Sequence, residues 1–420
     1  MEMESASMFW VGLDWGDKAH TLCAYQPATE TYISFSVPHT PEGLREMADK
    51  LRALGDIGGI AVECSRNLVV QALLDGDFVV YVINPKLSSK WRKGTSVSGA
   101  KSDAGDALIL AEGLWNHRRT LHPLQPQSAP MRELECLVNA QKDLIGRKTS
   151  LVQALKDLLK RYHPQLLAFF DDWTGPTAWE FLLAFPTPQA LASASKGRLC
   201  AFLRRHHIGI SPLWESRIAS RLRALEWPSD PAREESDAWH AQSLVKMLLP
   251  LEKQLCLYRE KIERMFPENE KAHLFRSLPG AGPKLAPRLC TIFSENLEQY
   301  DAADALRKLS GVAPVTKQSG GSRNVKIRRD CRKSWRDTLH LFAHFSKRKS
   351  VWARAYYQQC RERGNSNATA LRKLAYKWLG IIFRMCKEKK TYDEKQYIEQ
   401  LRIKNSPTYQ FMLKNGYLNA

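Results

Sequence analysis

Residues 99–114 read GAKSDAGDALILAEGL, and two carboxylates stand three positions apart where an apolar helical pattern begins. Asp103 and Asp106 therefore share one face of a helix start. Taken alone the pair is an ordinary helix terminus, with Asp103 as N-cap and Asp106 near the third position, a weak capping box. Two upstream stretches change that. FWVGLD (9–14) is a short apolar run ending in Asp14, and GGIAVECS (58–65) sets Glu63 behind another. Side chains at the ends of neighbouring parallel strands can project from one edge of a sheet. If the helix packs across that edge, four carboxylates converge, and four acids so close repel unless a cation neutralises them. Hard oxygen ligands with open coordination positions favour Mg2+ or Mn2+. Two such ions can clamp an in-line phosphoryl transfer.

The surrounding pattern supplies the sheet. HTLCAYQ (20–26) and TYISFSV (31–37) are strand-like with a turn between them. A helix starts with Thr40 as N-cap and Pro41 at its first position and stops at Gly55. FVVYVINP (78–85) is a buried strand ended by Pro85, and 86–102 is a basic, glycine-containing loop before the helix of the opening stretch. This order predicts an α/β domain over 1–120. An acid after the first strand, an acid after the fourth and a pair on a late helix is the layout of the ribonuclease-H-like, RuvC-like fold. Asp17 stands outside that set.

The 420 residues allow two or three domains, and 44% hydrophobic with 25% charged residues is a soluble globular profile. Nine scattered cysteines without a CxxC pair point to reduced thiols in a cytoplasmic protein. The acidic N-terminus has no apolar run of signal-peptide type, and no stretch approaches the ~18 apolar residues of a membrane span. The net charge of +19 is unevenly placed. Residues 1–120 hold 12 Lys and Arg against 15 Asp and Glu, whereas 301–420 hold 27 against 9. A basic half of this size calls for a polyanionic partner, most simply nucleic acid.

Residues 118–130 are expected to be a linker, within a coiled-coil spacer over 121–270. Leu137, Leu144, Leu151 and Leu158 recur every seven residues, each beside Val138, Ile145, Val152 or Leu159, which predicts a long helix with a coiled-coil-like seam. A second such helix covers about 241–266, and the two can pair antiparallel within one chain or between chains. The inserted region 165–238 is mixed. From 271 to 395 a mainly α domain is expected. SLPGAGPKLAPRL (277–289) resembles the turn of a helix-hairpin-helix, with glycines that open backbone N–H groups to a phosphate and Lys284 adding charge. A Gly/Ser-rich loop holding KQSGGS (317–322) and a basic run follow, then helices at 334–348, 351–363 and 366–388, and a polar tail over 396–420.

These motifs together resemble a known family. VGLDWGDKAH, AVECSRN, YVINP and KSDAGDALILAEGL resemble the DEDD domain of the family one-ten insertion-sequence transposases. LPGAGPKLAPRL, LRKLSGVAPVTKQSGGS and LRKLAYKWLGIIFRMCKEKKTYD resemble that family's C-terminal transposase domain. The resemblance implies a site-specific recombinase of donor and target DNA, with Mg2+ held by Asp14, Glu63, Asp103 and Asp106. It implies a serine nucleophile, Ser319, with Ser322 as runner-up, forming a covalent phosphoserine link. It implies guidance by a structured non-coding bridge RNA, nucleoid association, and a homodimer or tetramer in which the RuvC-like domain of one subunit faces the serine of another.

The residue chemistry fits those roles. A serine hydroxyl is a weak nucleophile and needs activation and a polarised phosphate. Arg323, Lys326, Arg328, Arg329, Arg332 and Lys333 can neutralise phosphates beside it. Two other functions use parts of the same set. A metal-dependent structure-specific nuclease, resembling a Holliday-junction resolvase, needs the four acids but not Ser319. A non-catalytic nucleic-acid-binding protein needs neither.

Overall fold

The computed structural model describes residues 7–64, 67–95, 102–125, 127–228, 230–293, 297, 300–319 and 322–418, with Thr95, Lys317 and Arg323 described in backbone only. The chain divides into two compact units: 1–128 with 296–333, and 129–295 with 334–420.

The first unit holds β1 (Phe9–Trp15), β2 (Ala19–Gln26), β3 (Thr31–Pro38), α1 (Pro41–Ala53), β4 (Ile57–Val62), α2 (Leu68–Asp75) and β5 (Val80–Val82). The helices α3 (Pro85–Thr95) and α4 (Asp103–His117) follow. The sheet order is β3-β2-β1-β4-β5. The first three strands are antiparallel neighbours, while β4 runs parallel to both β1 and β5. This mixed five-stranded sheet is compatible with a ribonuclease-H-like DEDD fold. Alternation along β1 and β4 sorts the side chains. Val11, Leu13, Ile60 and Val62 pack with Met47, Leu51, Val70 and Leu73 of α1 and α2. Trp10 and Ala61 pack on the other face with Leu110 and Leu114 of α4. Each fully buried leucine is worth roughly 1.5–3 kcal/mol.

Gly12 sets how α4 lies. A Cβ there would stand 1.9 Å from the Ala107 carbonyl oxygen and 2.7 Å from the Ala111 nitrogen, so backbone meets backbone. At the other end, the rings of Trp10 and Trp115 are 5.7 Å apart. The helix therefore runs antiparallel to β1, and its first turn lies over the C-terminal end of that strand.

Two segments of this unit differ from the sequence expectation. Residues 86–102 are not simply a loop, because α3 occupies 85–95. The Asn84 side chain accepts the Lys86 N–H at 2.9 Å, Pro85 suits a first helical position, and Leu87 and Trp91, one turn apart, pack beside α4. The expected linker after α4 instead closes the β5 edge. Leu124 N–H donates to the Val80 carbonyl at 2.6 Å, and Leu121 and Leu124 pack against the two cores.

In the second unit, α5 (Ala129–Tyr162) and α6 (Pro231–Met265) lie side by side. Lys148–Glu252 at 2.6 Å and Lys261–Glu133 at 2.8 Å fix them as antiparallel partners within one chain. The buried stripe of α5 runs through Met131, Leu134, Val138, Gln141, Val152, Leu155, Leu158, Leu159 and Tyr162. Of the neighbours of the heptad leucines, Val138, Val152 and Leu159 lie in that stripe while Ile145 is exposed; of the leucines themselves Leu158 is buried and Leu137, Leu144 and Leu151 are half-buried. Region 165–238 is mainly short helices around an aromatic core of Phe169, Trp173, Trp179, Phe181, Phe185 and Phe202. Both indoles are satisfied there: Trp179 Nε1 donates to the Trp173 carbonyl at 2.8 Å and Trp173 Nε1 to that of Leu167 at 3.1 Å.

Next come α7 (Ala272–Arg276) and α8 (Gly282–Phe293), joined by a turn in which Gly280 adopts φ +82° against the Phe345 backbone. Back in the first unit, α9 (Ala303–Leu309) leads into an antiparallel hairpin of β6 (Val315–Ser319) and β7 (Ser322–Lys326). The second unit ends with α10 (Lys333–Lys349), whose first residue still falls in the first unit, then α11 (Val351–Glu362) and α12 (Asn367–Glu388). These three lie where periodicity predicts them. The stretch read as a tail carries α13 (Glu394–Ile403) and α14 (Pro407–Lys414). Met412 is fully buried, and Gln359 of α11 donates to the Pro407 carbonyl at 2.9 Å.

Candidate active site

The sheet brings Asp14 and Glu63 together before any other residue is considered. Leu13 is the parallel partner of Val62, so Asp14 and Glu63 are the next residues along two neighbouring strands. Both have the side-chain parity of Trp10 and Ala61, which face α4. The first turn of α4 covers that same end. Ser102 caps this helix, its Oγ accepting the Gly105 N–H at 3.1 Å. The expected capping role of Asp103 therefore falls to Ser102, leaving Asp103 exposed at the first helical position and Asp106 buried one turn inside. All four acids lie at one edge of one unit.

Two residues of α3 meet this set, and neither stood out in the sequence. Ser88 Oγ donates to Glu63 Oε1 and lies 3.0 Å from the Pro85 carbonyl oxygen. Arg92 Nη2 stands 2.7 Å from Asp106 Oδ1. Among the described residues, no three His, Cys, Asp or Glu side chains are gathered closely enough to hold a metal ion. The donor set still suits one: four hard carboxylates at one sheet edge, with a guanidinium already supplying positive charge to the buried Asp106. His20 is excluded by its place. Burial and the neighbouring His39 lower its pKa, its Nε2 lies 2.8 Å from His39 Nδ1, and it projects to the α1 face.

The serine lies at the tip of the hairpin. Ser319 and Ser322 face each other across the turn, both exposed, and Ser322 Oγ donates to the Ser319 carbonyl at 3.2 Å. Gly320 and Gly321, which join them, lie outside the described residues; a Gly-Gly pair suits a two-residue hairpin connection. The base of the hairpin is tied to α3. Asp330 lies 3.7 Å from Lys86 Nζ and 3.4 Å from Lys90 Nζ, and Lys86 also reaches the Arg329 carbonyl at 3.5 Å. Segment 296–333, with nine Lys and Arg against four Asp and Glu, thus belongs to the same unit of the same chain as the four acids. Of its basic candidates, Lys326, Arg329, Arg332 and Lys333 are exposed, and Arg328 reaches the Pro314 carbonyl at 3.4 Å. The Arg323 side chain lies outside the described residues. Lys284 is exposed on the first turn of α8, in the other unit.

Known proteins resemble this chain at both of its ends. A DEDD-type family model of the IS110 group, described as a transposase, matches residues 11–164. A second, described as the transposase IS116/IS110/IS902 family, matches 272–358. Similar proteins extend over nearly the whole chain. The protein assigned as the mini-circle transposase for IS117 of Streptomyces coelicolor is 28% identical over 411 residues, 94% of this chain and 97% of its own. The 44.8 kDa protein of insertion element IS116 from Streptomyces clavuligerus is 27% identical, covering 91% and 96%. The 42 kDa protein of IS900 from Mycobacterium paratuberculosis is 24% identical, covering 92% and 98%. The fold and its matches define a transposase, an enzyme that acts on DNA. The chain belongs to the IS110 family of transposases. No described helix is long and apolar enough to cross a membrane.

Proposed function

We propose that this transposase is a Mg2+-dependent DNA recombinase whose nucleophile is Ser319 and whose metal ligands are Asp14, Glu63, Asp103 and Asp106. The observation that carries this reading is the register Leu13–Val62, which sets Asp14 beside Glu63 under the N-terminus of α4. The ion would be held by those carboxylates, with Mn2+ able to substitute, and supplies Lewis-acid polarisation of a phosphate and neutralisation of charge. The Ser319 Oγ gives up its proton and forms a bond to phosphorus as the backbone P–O bond breaks, and the departing sugar oxygen takes up a proton, so that the step is balanced overall. Ser322 is the alternative nucleophile. Arg323, Lys326, Arg328, Arg329, Arg332, Lys333 and Lys284 bind phosphates of donor and target DNA. The four domains are the RuvC-like domain 1–120, the spacer 121–270, the serine-bearing domain 271–395 and the segment 396–420. Guidance by a structured bridge RNA and work as a homodimer or tetramer complete the proposal, both supported by the family resemblance.

The test is covalent capture on DNA. Ser319→Ala should abolish detergent-resistant protein–DNA adducts and recombination, and Asp14→Ala should abolish both as well. Strand cleavage intact in Ser319→Ala would refute the serine mechanism and favour a nuclease in which water attacks. Full biological activity in Asp14→Ala would refute the metal reading. RNA guidance fails if active protein carries no specific RNA and added RNA from the element's flanks changes nothing.

A further inference from the structure

The geometry points to Arg92 as a displaceable cation that guards the metal site, holding Asp106 until a divalent ion takes its place. This rests on the reading of Asp106 as a metal ligand. Asp106 is 7% exposed, and a carboxylate so far out of water needs a positive partner. Arg92 provides one at 2.7 Å on Oδ1. Its side chain is 31% exposed and reaches in from the last turn of α3, so it has a route to solvent. The neighbouring Glu63 is engaged by the neutral hydroxyl of Ser88, which a metal can tolerate beside a shared carboxylate. Arg92 differs because it carries a full charge.

A divalent ion and a guanidinium cannot share one buried carboxylate oxygen without strong repulsion. Loading is therefore an exchange of one cation for another rather than an addition. The exchange keeps the acid cluster paired when metal is scarce and shifts metal occupancy to a higher concentration than the acids alone would require. No covalent bond is made or broken in this step.

The experiment is Mn2+ titration of the full-length, DNA-free protein by isothermal calorimetry, comparing wild type, Arg92→Gln, Arg92→Lys and Asp14→Ala. Removing the competitor should tighten Mn2+ binding about tenfold in Arg92→Gln, the scale of a charge-assisted pair on a buried acid. Arg92→Lys keeps the charge but loses the planar fork, and should fall between Arg92→Gln and wild type. If Arg92→Gln does not fold, as judged by circular dichroism, the Lys variant decides alone: tighter binding than wild type supports the exchange. Binding equal to or weaker than wild type in folded Arg92 variants, with loss in Asp14→Ala, overturns the guard and leaves the metal site standing. No Mn2+ binding by wild type and Arg92 variants alike overturns both.

Discussion

Replacing Gly12 with alanine tests the contact that positions half of the acids. The added Cβ would lie 1.9 Å from the Ala107 carbonyl oxygen, 2.7 Å from the Ala111 nitrogen and 2.8 Å from the Leu110 Cβ. Two of the three are backbone atoms, which cannot swing aside. Opening the shortest contact from 1.9 to 3.0 Å, the limit below which real Cβ contacts essentially never fall, requires α4 to move by about 1.1 Å. Overpacking of a core costs about 1–3 kcal/mol, and a backbone-on-backbone clash should reach the top of that range. Asp103 and Asp106 ride on the displaced turn, and a misplacement of about 1 Å at a reacting centre can cost roughly 100-fold in rate. Hydrogen exchange by mass spectrometry reads the structural part as lost protection in peptides covering β1 and α4. DNA strand transfer under fixed metal reads the rate. Protection and rate both within twofold of wild type would refute the packing of α4 on β1, and with it the argument that brings the acids to one edge.

Gly146, in the middle of α5 with nothing within 4 Å of an added Cβ, should behave oppositely: Gly146→Ala should stabilise the second unit by about 0.5–1 kcal/mol in urea unfolding. Met412→Ala should cost about 2–5 kcal/mol and speed proteolysis after α12; no change would show that α14 is not docked. Burial holds the fully enclosed His163 imidazole down at about 3, below its ordinary 6.5. The unfolded chain therefore takes up a proton that the folded chain refuses, and stability falls by about 1.4 kcal/mol per pH unit from 6.5 towards 3. His163→Gln should flatten that acid limb, measured by urea unfolding between pH 6.5 and 4.5, and an unchanged slope would exclude His163 as its source.

The fold was legible where one period dominates. Apolar runs mark β1, β4 and β5, Thr40 and Pro41 mark the start of α1, and α10 to α12 fall within a residue or two of their expected bounds. Three kinds of signal misled. The heptad leucines are conspicuous, yet of the four only Leu158 is buried, because a 34-residue helix buries the residues its neighbours reach and not its most regular stripe. The hairpin strands VTKQS and SRNVK are short and polar, with no alternation to separate them from a flexible loop. The helices after residue 393 are mostly exposed, so α14 shows only a one-turn anchor, Thr408 and Met412, in a polar background.

The same limit explains the site. Acids at strand ends can be read from sequence because position along a strand fixes their edge and face. Ser88 and Arg92 cannot, since their relevance arises only once 85–95 becomes a helix, and four cations and a glycine within it disguise that. Residues four apart on a helix share a face, so Ser88 and Arg92 form one stripe while Lys86 and Lys90 form another about 200° away. The first stripe touches Glu63 and Asp106, and the second touches Asp330 at the base of the serine hairpin. A single helix thus links the acid cluster to the hairpin. The lysine contacts are exposed, worth about 1 kcal/mol or less, and weakened by salt. The Arg92–Asp106 pair is far more enclosed. A displacement of Arg92 would therefore meet little resistance from the hairpin side of α3, because its lysine contacts can slip while the acid side rearranges.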